Sequence, residues 1–150
     1  MPTTPSTRIK ATNIRFIIGA TERYDCDANL VELTLNDAPG DVQTFCEVRP
    51  GGEWKLQLDG VTSGDATSLY RILWSNFGTE VAFVIAPNGN ATASTTQPHY
   101  TGTVIFDQLP PLSLNSGDIV KFSVTLTVKN AVHTPSATPP VYYGVTLKTA

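Results

Sequence analysis

The chain has 150 residues, thirteen acidic against ten basic, and a formal net charge of −3. That length makes one domain, long enough to bury well over half of its unfolded surface in a single core, so no disulfide framework is required. A slightly acidic chain with no basic face lacks the electrostatic footprint for gripping nucleic acid, and weak repulsion is its expected relation to DNA.

Cys26 and Cys46 are accompanied by no nearby His or second Cys pair. This argues against a zinc ribbon or redox motif and for two free thiols in a reducing compartment. The first ten residues carry no apolar h-region, and no apolar run is long enough to span a membrane, so a soluble protein made in a cytoplasm is expected.

Residues 1–12, rich in Thr, Pro and Ser, read as an N-terminal arm. Ile14, Phe16 and Ile18 then alternate with Asn13, Arg15 and Ile17, a period of two that predicts a half-buried strand. An acidic turn over 22–29 follows. Val31, Leu33 and Leu35 alternating with Glu32, Thr34 and Asn36 predict a second strand. Pro39-Gly40 suits the centre of a type II turn and predicts a hairpin to a third strand over 42–49. After the break at Pro50, Gly51 and Gly52, Trp54, Leu56 and Leu58 share one strand face. Glu53, Lys55, Gln57 and Asp59 share the other.

The apolar period then becomes helical. At 100° per residue, Leu69, Tyr70, Ile72, Leu73, Trp74 and Phe77 fall in one arc of roughly 200°, opposite Thr67, Ser68, Arg71 and Ser75. Asp65 or Ser63 can cap the start, and Gly78 stands where a left-handed residue ends a helix, so one helix is predicted at about 65–77. The arc is wider than the ~100° stripe a surface helix needs. The helix is therefore expected to be wedged between two surfaces, either two sheets or a sheet and a neighbouring subunit.

Val81, Phe83 and Ile85 predict another strand, and 86–98 a solvated loop. A strand over 100–107 leads into a connector stiffened by Pro110 and Pro111. Over 119–128, Val120, Phe122, Val124, Leu126 and Val128 face inward while Lys121, Ser123, Thr125 and Thr127 face out. Residues 130–150, with VYYGVTL as their one apolar patch, read as a second arm. The expected fold is mainly β: a two-layer β-sandwich or barrel with one flanking helix and extended terminal arms.

Motifs that carry chemistry are missing. Residues 62–65 lack the second glycine of a nucleophile elbow and the buried parallel strand that precedes one. His99 and His133 lie in predicted loop without metal-ligand spacing. Asp25, Asp27 and Asn29 imitate the start of a calcium loop, but Leu30 occupies the sixth position, where Gly is needed, and Asn36 the twelfth, where Glu is needed. A solvated acidic turn is expected instead. Asn90-Ala91-Thr92 is formally a glycosylation acceptor, inert without a signal peptide. The expectation is a protein that is not an enzyme, with no cofactor and no metal, whose function lies in assembly or binding surfaces. Exposed aromatics such as Tyr142 and Tyr143 leave open an adhesin or carbohydrate-binding β-sandwich.

Residues 53–130 carry a longer pattern. Gly64-Asp65 opens a helix with Ser68-Leu69-Tyr70 and Leu73-Trp74, then an apolar-aromatic strand and an Asn/Gly loop. Tyr100, Gly102 and Val104 form a Y-x-G-x-V strand, and Gly117-Asp118 opens a last strand with Phe122, Val124 and Leu126. This pattern resembles the major tail tube proteins of long-tailed bacteriophages. The resemblance implies a β-sandwich with a flanking helix, six copies per ring, and rings stacked into a tube through which the genome is ejected. One sheet of each copy would line the lumen. It further implies residence in the virion tail after assembly in the host cytoplasm, and as partners further copies of the chain, tape measure, tail tip and terminator proteins. DNA would pass through without specific binding, and no membrane is involved. Candidate lumen faces are Glu32, Thr34 and Asn36 with Glu47 and Arg49, or Glu53, Lys55, Gln57 and Asp59. Leu69, Tyr70, Leu73, Trp74 and Phe77 are the candidates for helix core or inter-subunit packing.

Overall fold

A computed structural model of the chain describes residues 9, 14–19, 22–24, 26–36, 52–131 and 133–150. In chain order the elements are β1 (Arg15–Ile18), β2 (Glu22–Arg23), β3 (Ala28–Asn36), β4 (Glu53–Val61), α1 (Leu69–Ser75), β5 (Glu80–Ala86), β6 (His99–Ile105), β7 (Lys121–Val128), β8 (Val141–Tyr142) and β9 (Val145–Lys148). The strands form one open nine-stranded sheet in the order β2-β1-β5-β6-β7-β4-β3, with β9 on β6 and β8 on β9. Every pairing is antiparallel.

The sheet folds over between β6 and β7. One edge of β6 is shared: its first half pairs with β9 through His99↔Lys148, Tyr100↔Leu147 and Thr101↔Thr146, and its end pairs with β7 through Val104↔Val128 and Ile105↔Thr127 alone. Phe106 stays on the β5 side, its N–H donating to Thr79 O (3.0 Å) and its O accepting from Gly78 N–H (2.8 Å). The result is the mainly β, sandwich-type fold with one helix. Phe16, Ile18, Phe83, Val104 and Val145 on one side and Leu56, Leu58, Phe122, Val124, Leu126 and Val128 on the other share one buried cluster. Full burial of each such side chain contributes about 1.5–3 kcal/mol.

The helix is shorter than expected, Leu69–Ser75, because Ser68 is the N-cap and accepts from Arg71 N–H. Ser63 and Asp65 act one step earlier, their carbonyls accepting from Ser68 Oγ at 3.1 and 2.8 Å. A second acceptor comes from far along the chain: Asp27 Oδ2 takes the Leu69 N–H at 3.1 Å. The acidic turn therefore holds a helix end, where free N–H groups attract a carboxylate, and part of 22–29 is strand, since β2 pairs with β1. Gly78 has φ of 85° just beyond the helix, as its position suggested. The wedge expectation holds for one side only. Leu69 and Leu73 are fully buried, but Trp74 is 45% and Phe77 52% exposed.

One loop assignment changes, residues 87–98 remain a mostly solvent-accessible loop, and the C-terminal arm has a docking place. His99 is buried and opens β6, and its Nε2 lies 3.1 Å from Asn90 O. Residues 87–98 fold back on themselves, with Ala93 buried and Asn90 Nδ2 donating to Gln97 O at 3.0 Å. The C-terminal segment is docked rather than extended: β9 lies on β6, and Trp54 Nε1–H donates to Tyr142 O at 2.6 Å. The expected turn at Pro39-Gly40 and strand over 42–49 lie outside the described residues, as does most of the N-terminal arm.

Candidate functional site

The polar residues of β4 and β3 come together on one face. Register places Glu32 beside Gln57, Thr34 beside Lys55, Leu30 beside Asp59 and Asn36 beside Glu53. The row continues into β7, with Gln57 beside Thr125, Lys55 beside Thr127 and Asp59 beside Ser123. The two candidate lumen faces read from the sequence thus merge into one surface of the β3-β4-β7 layer. Glu47 and Arg49 lie outside the described residues. Side-chain period two explains the merger: the neighbours Val31, Leu33, Leu56, Leu58, Val124 and Leu126 all turn toward the core.

Charge on this face is mixed and mildly acidic, Glu32, Glu53 and Asp59 against Lys55 and Lys121. Lys55 is not free: its Nζ donates to Glu53 Oε1 (3.1 Å) and to Thr127 Oγ1 (2.8 Å). Thr127 Oγ1 in turn donates to Asp107 Oδ2 at 2.7 Å. A lysine held this way presents little unpaired charge at the surface.

Among the described residues the outer edge of β3 has no strand partner, and the outer edge of β7 has one only at Thr127 and Val128. Within a strand, successive residues point their N–H and C=O to opposite sides. Thr127 N–H donates to Asp107 Oδ1 (3.3 Å), away from β4, so Lys121, Ser123 and Thr125 direct theirs the same way. Thr62 N–H donating to Val120 O at 2.9 Å agrees, since even-numbered residues then serve β4. From Lys121 to Thr125, β7 has no strand partner on that side among the described residues, because β6 departs after Ile105 and Asp107 takes the Thr127 N–H. On the other flank, Val61 N–H donates to Asp27 O at 3.0 Å. Asp59, Gln57 and Lys55 therefore face β3, and Val31, Leu33 and Leu35 are left pointing outward.

A groove runs along the free β7 edge, between Ser123, Thr125 and Thr127 and the connector residues Asp107, Leu109 and Pro111. Pro110 and Pro111 have no N–H, so this part of the connector cannot complete the ladder itself. Leu112, Leu114 and Ile119 on the same connector are 61%, 70% and 75% exposed.

Tyr142 and Tyr143 are half-buried, and Tyr143 lies stacked on His133 at 4.6 Å between ring centroids. That stack occupies a ring face on which a sugar would lie. Among the described residues, no group of three or more His, Cys, Asp or Glu is placed to hold a metal, and no helix is long and apolar enough to cross a membrane. No protein-family model matches the chain, and no curated protein matches it.

Sequence reasoning found the polar strand faces but missed Asp107, whose role depends on Thr127, twenty residues away. No local signal marks it.

Proposed function

We propose that the chain is a structural, self-assembling subunit of a hollow tube, of the kind that forms the major tail tube of a long-tailed bacteriophage, stacked as rings around a lumen that conducts DNA. The observation that carries this reading is the β3-β4-β7 layer, polar on its outer face and, among the described residues, without a strand partner along β3 and along β7 from Lys121 to Thr125. Long free edges invite association, and joining several such layers around an axis removes them all. The mildly acidic face, its Lys55 already paired, suits a wall along which a polyanion slides, because each added phosphate contact must be broken again. The resemblance over residues 53–130 points the same way. The further partners of this reading are the tape measure, tip and terminator proteins of such a tail, and its location is the virion.

The test uses a backbone change. Among the described residues Leu33 N–H points away from β4, so Leu33→Pro spares the β3–β4 ladder and blocks the β3 edge, and circular dichroism checks that loss of the Leu33 side chain from the core leaves the variant folded. Light scattering across a concentration series should show growing mass for the unaltered protein and a folded monomer for Leu33→Pro. Equal assembly by both proteins rules out the edge as the contact.

A further inference from the structure

We infer that the free edge of β7 pairs in parallel with β3 of the next copy, with Lys121 beside that copy's Glu32. This rests on the tube reading above.

Parity decides the direction. On β7 the residues whose N–H and C=O point outward, Lys121, Ser123 and Thr125, carry side chains on the polar face. On β3 the outward-pointing residues, Val31, Leu33 and Leu35, carry side chains on the core face. In an antiparallel ladder, residues level with each other both point toward the partner or both away, and their side chains share a face. Antiparallel joining of β7 to β3 therefore sets Ser123 on the same side as Val31 or Leu33, and the polar face of one copy runs into the apolar face of the next. In a parallel ladder an outward-pointing residue stands level with one that points away. Lys121, Ser123 and Thr125 then stand level with Glu32, Thr34 and Asn36, and the polar face is continuous. Symmetry gives the same answer independently. Within one copy β3 and β7 are each antiparallel to β4, hence parallel to each other, and rotation about a ring axis carries that relation to the junction.

Charge selects the register. Glu32 is the only charged residue of β3 and Lys121 the only one of β7; both are exposed. Within one copy Glu32 is level, through Gln57, with Thr125. Setting it beside Lys121 of the adjoining copy offsets the strands by four residues per copy. At roughly 3.3 Å per residue that is about 13 Å along the strands, against about 14 Å across the three strands of this layer among the described residues, spaced about 4.8 Å apart. The implied tilt is about 43°, inside the 35–45° of closed barrels, and it does not depend on the number of copies. The groove beside Leu109 and Pro111 is where the incoming strand lies.

The experiment works with full-length protein carrying Cys26→Ser and Cys46→Ser. With Glu32→Cys and Lys121→Cys added, a short bismaleimide applied to assembled protein should give a ladder of covalent oligomers on a denaturing gel, and neither single cysteine should. In parallel, Glu32→Lys or Lys121→Glu alone should raise the critical concentration for assembly about three- to tenfold, and the two together should restore it. Assembly without the double-cysteine ladder, or without recovery in the double charge swap, overturns the junction while leaving the tube reading standing. Dimers cross-linked through Leu33→Cys alone show an isologous β3–β3 contact and also overturn it. A protein that stays monomeric at every concentration overturns both.

Discussion

Adjacent helix residues Leu73 and Trp74 should respond oppositely to truncation, and the difference follows from which side of α1 the sandwich covers. Leu73 is fully buried in the core cluster. Leu73→Ala removes its packing and leaves a cavity, a loss of about 2–5 kcal/mol. For a domain of this size each 1 kcal/mol moves Tm by about 2–4 °C, so a mid-range loss lowers Tm by about 7–14 °C. Trp74 keeps 45% of its surface exposed and touches the Tyr70 ring at 6.3 Å between centroids. Its burial is about half that of a core side chain, and Trp74→Ala should cost about 1 kcal/mol, or about 2–4 °C. Even Trp74→Asp should leave a folded monomer. Thermal melts followed by circular dichroism should be run at low protein concentration, so that association does not add to the apparent stability. Equal losses for the two alanine variants would refute the assignment of the helix faces.

Other changes probe the joints of the fold. A Cβ at Gly60 meets Asp27 O at 2.5 Å and the Phe122 ring at 3.1 Å; Gly60→Ala should lower stability by about 1–3 kcal/mol, read from the urea midpoint at unchanged slope. Asp27→Ala removes the acceptor of Leu69 N–H and should cost about 1 kcal/mol, with faster exchange of that amide by NMR. Trp54→Phe deletes the donor to Tyr142 O; loss of about 1 kcal/mol and faster exchange across β8 and β9 are expected, with β7 protection unchanged.

Alternation carried most of what could be read from the residues. β7 is legible because Phe122, Val124, Leu126 and Val128 never break period two, and β4 for the same reason at Leu56 and Leu58. Period two states which face a residue takes but not which strand lies beside it. The candidate faces on β3 and β4 were therefore separate in the sequence and continuous in the sheet. Contacts at long range account for the rest. The cap from Asp27 to Leu69, the ladder stop from Asp107 to Thr127 and the seat of β9 on β6 join segments with no shared local pattern. His99 illustrates the other failure: flanked by turn formers it reads as loop, yet it is buried, opening β6 beside Lys148 with its Nε2 3.1 Å from Asn90 O.

Copies of this chain are proposed to join through the β3-β4-β7 layer around a lumen. Negative-stain electron microscopy of the purified protein at high concentration, with its mass measured by light scattering on the same sample, tests this proposal most directly. Stacked rings or hollow tubes with a stain-filled centre are predicted. A monodisperse monomer at the highest concentration reached, or solid fibres without a lumen, would contradict it.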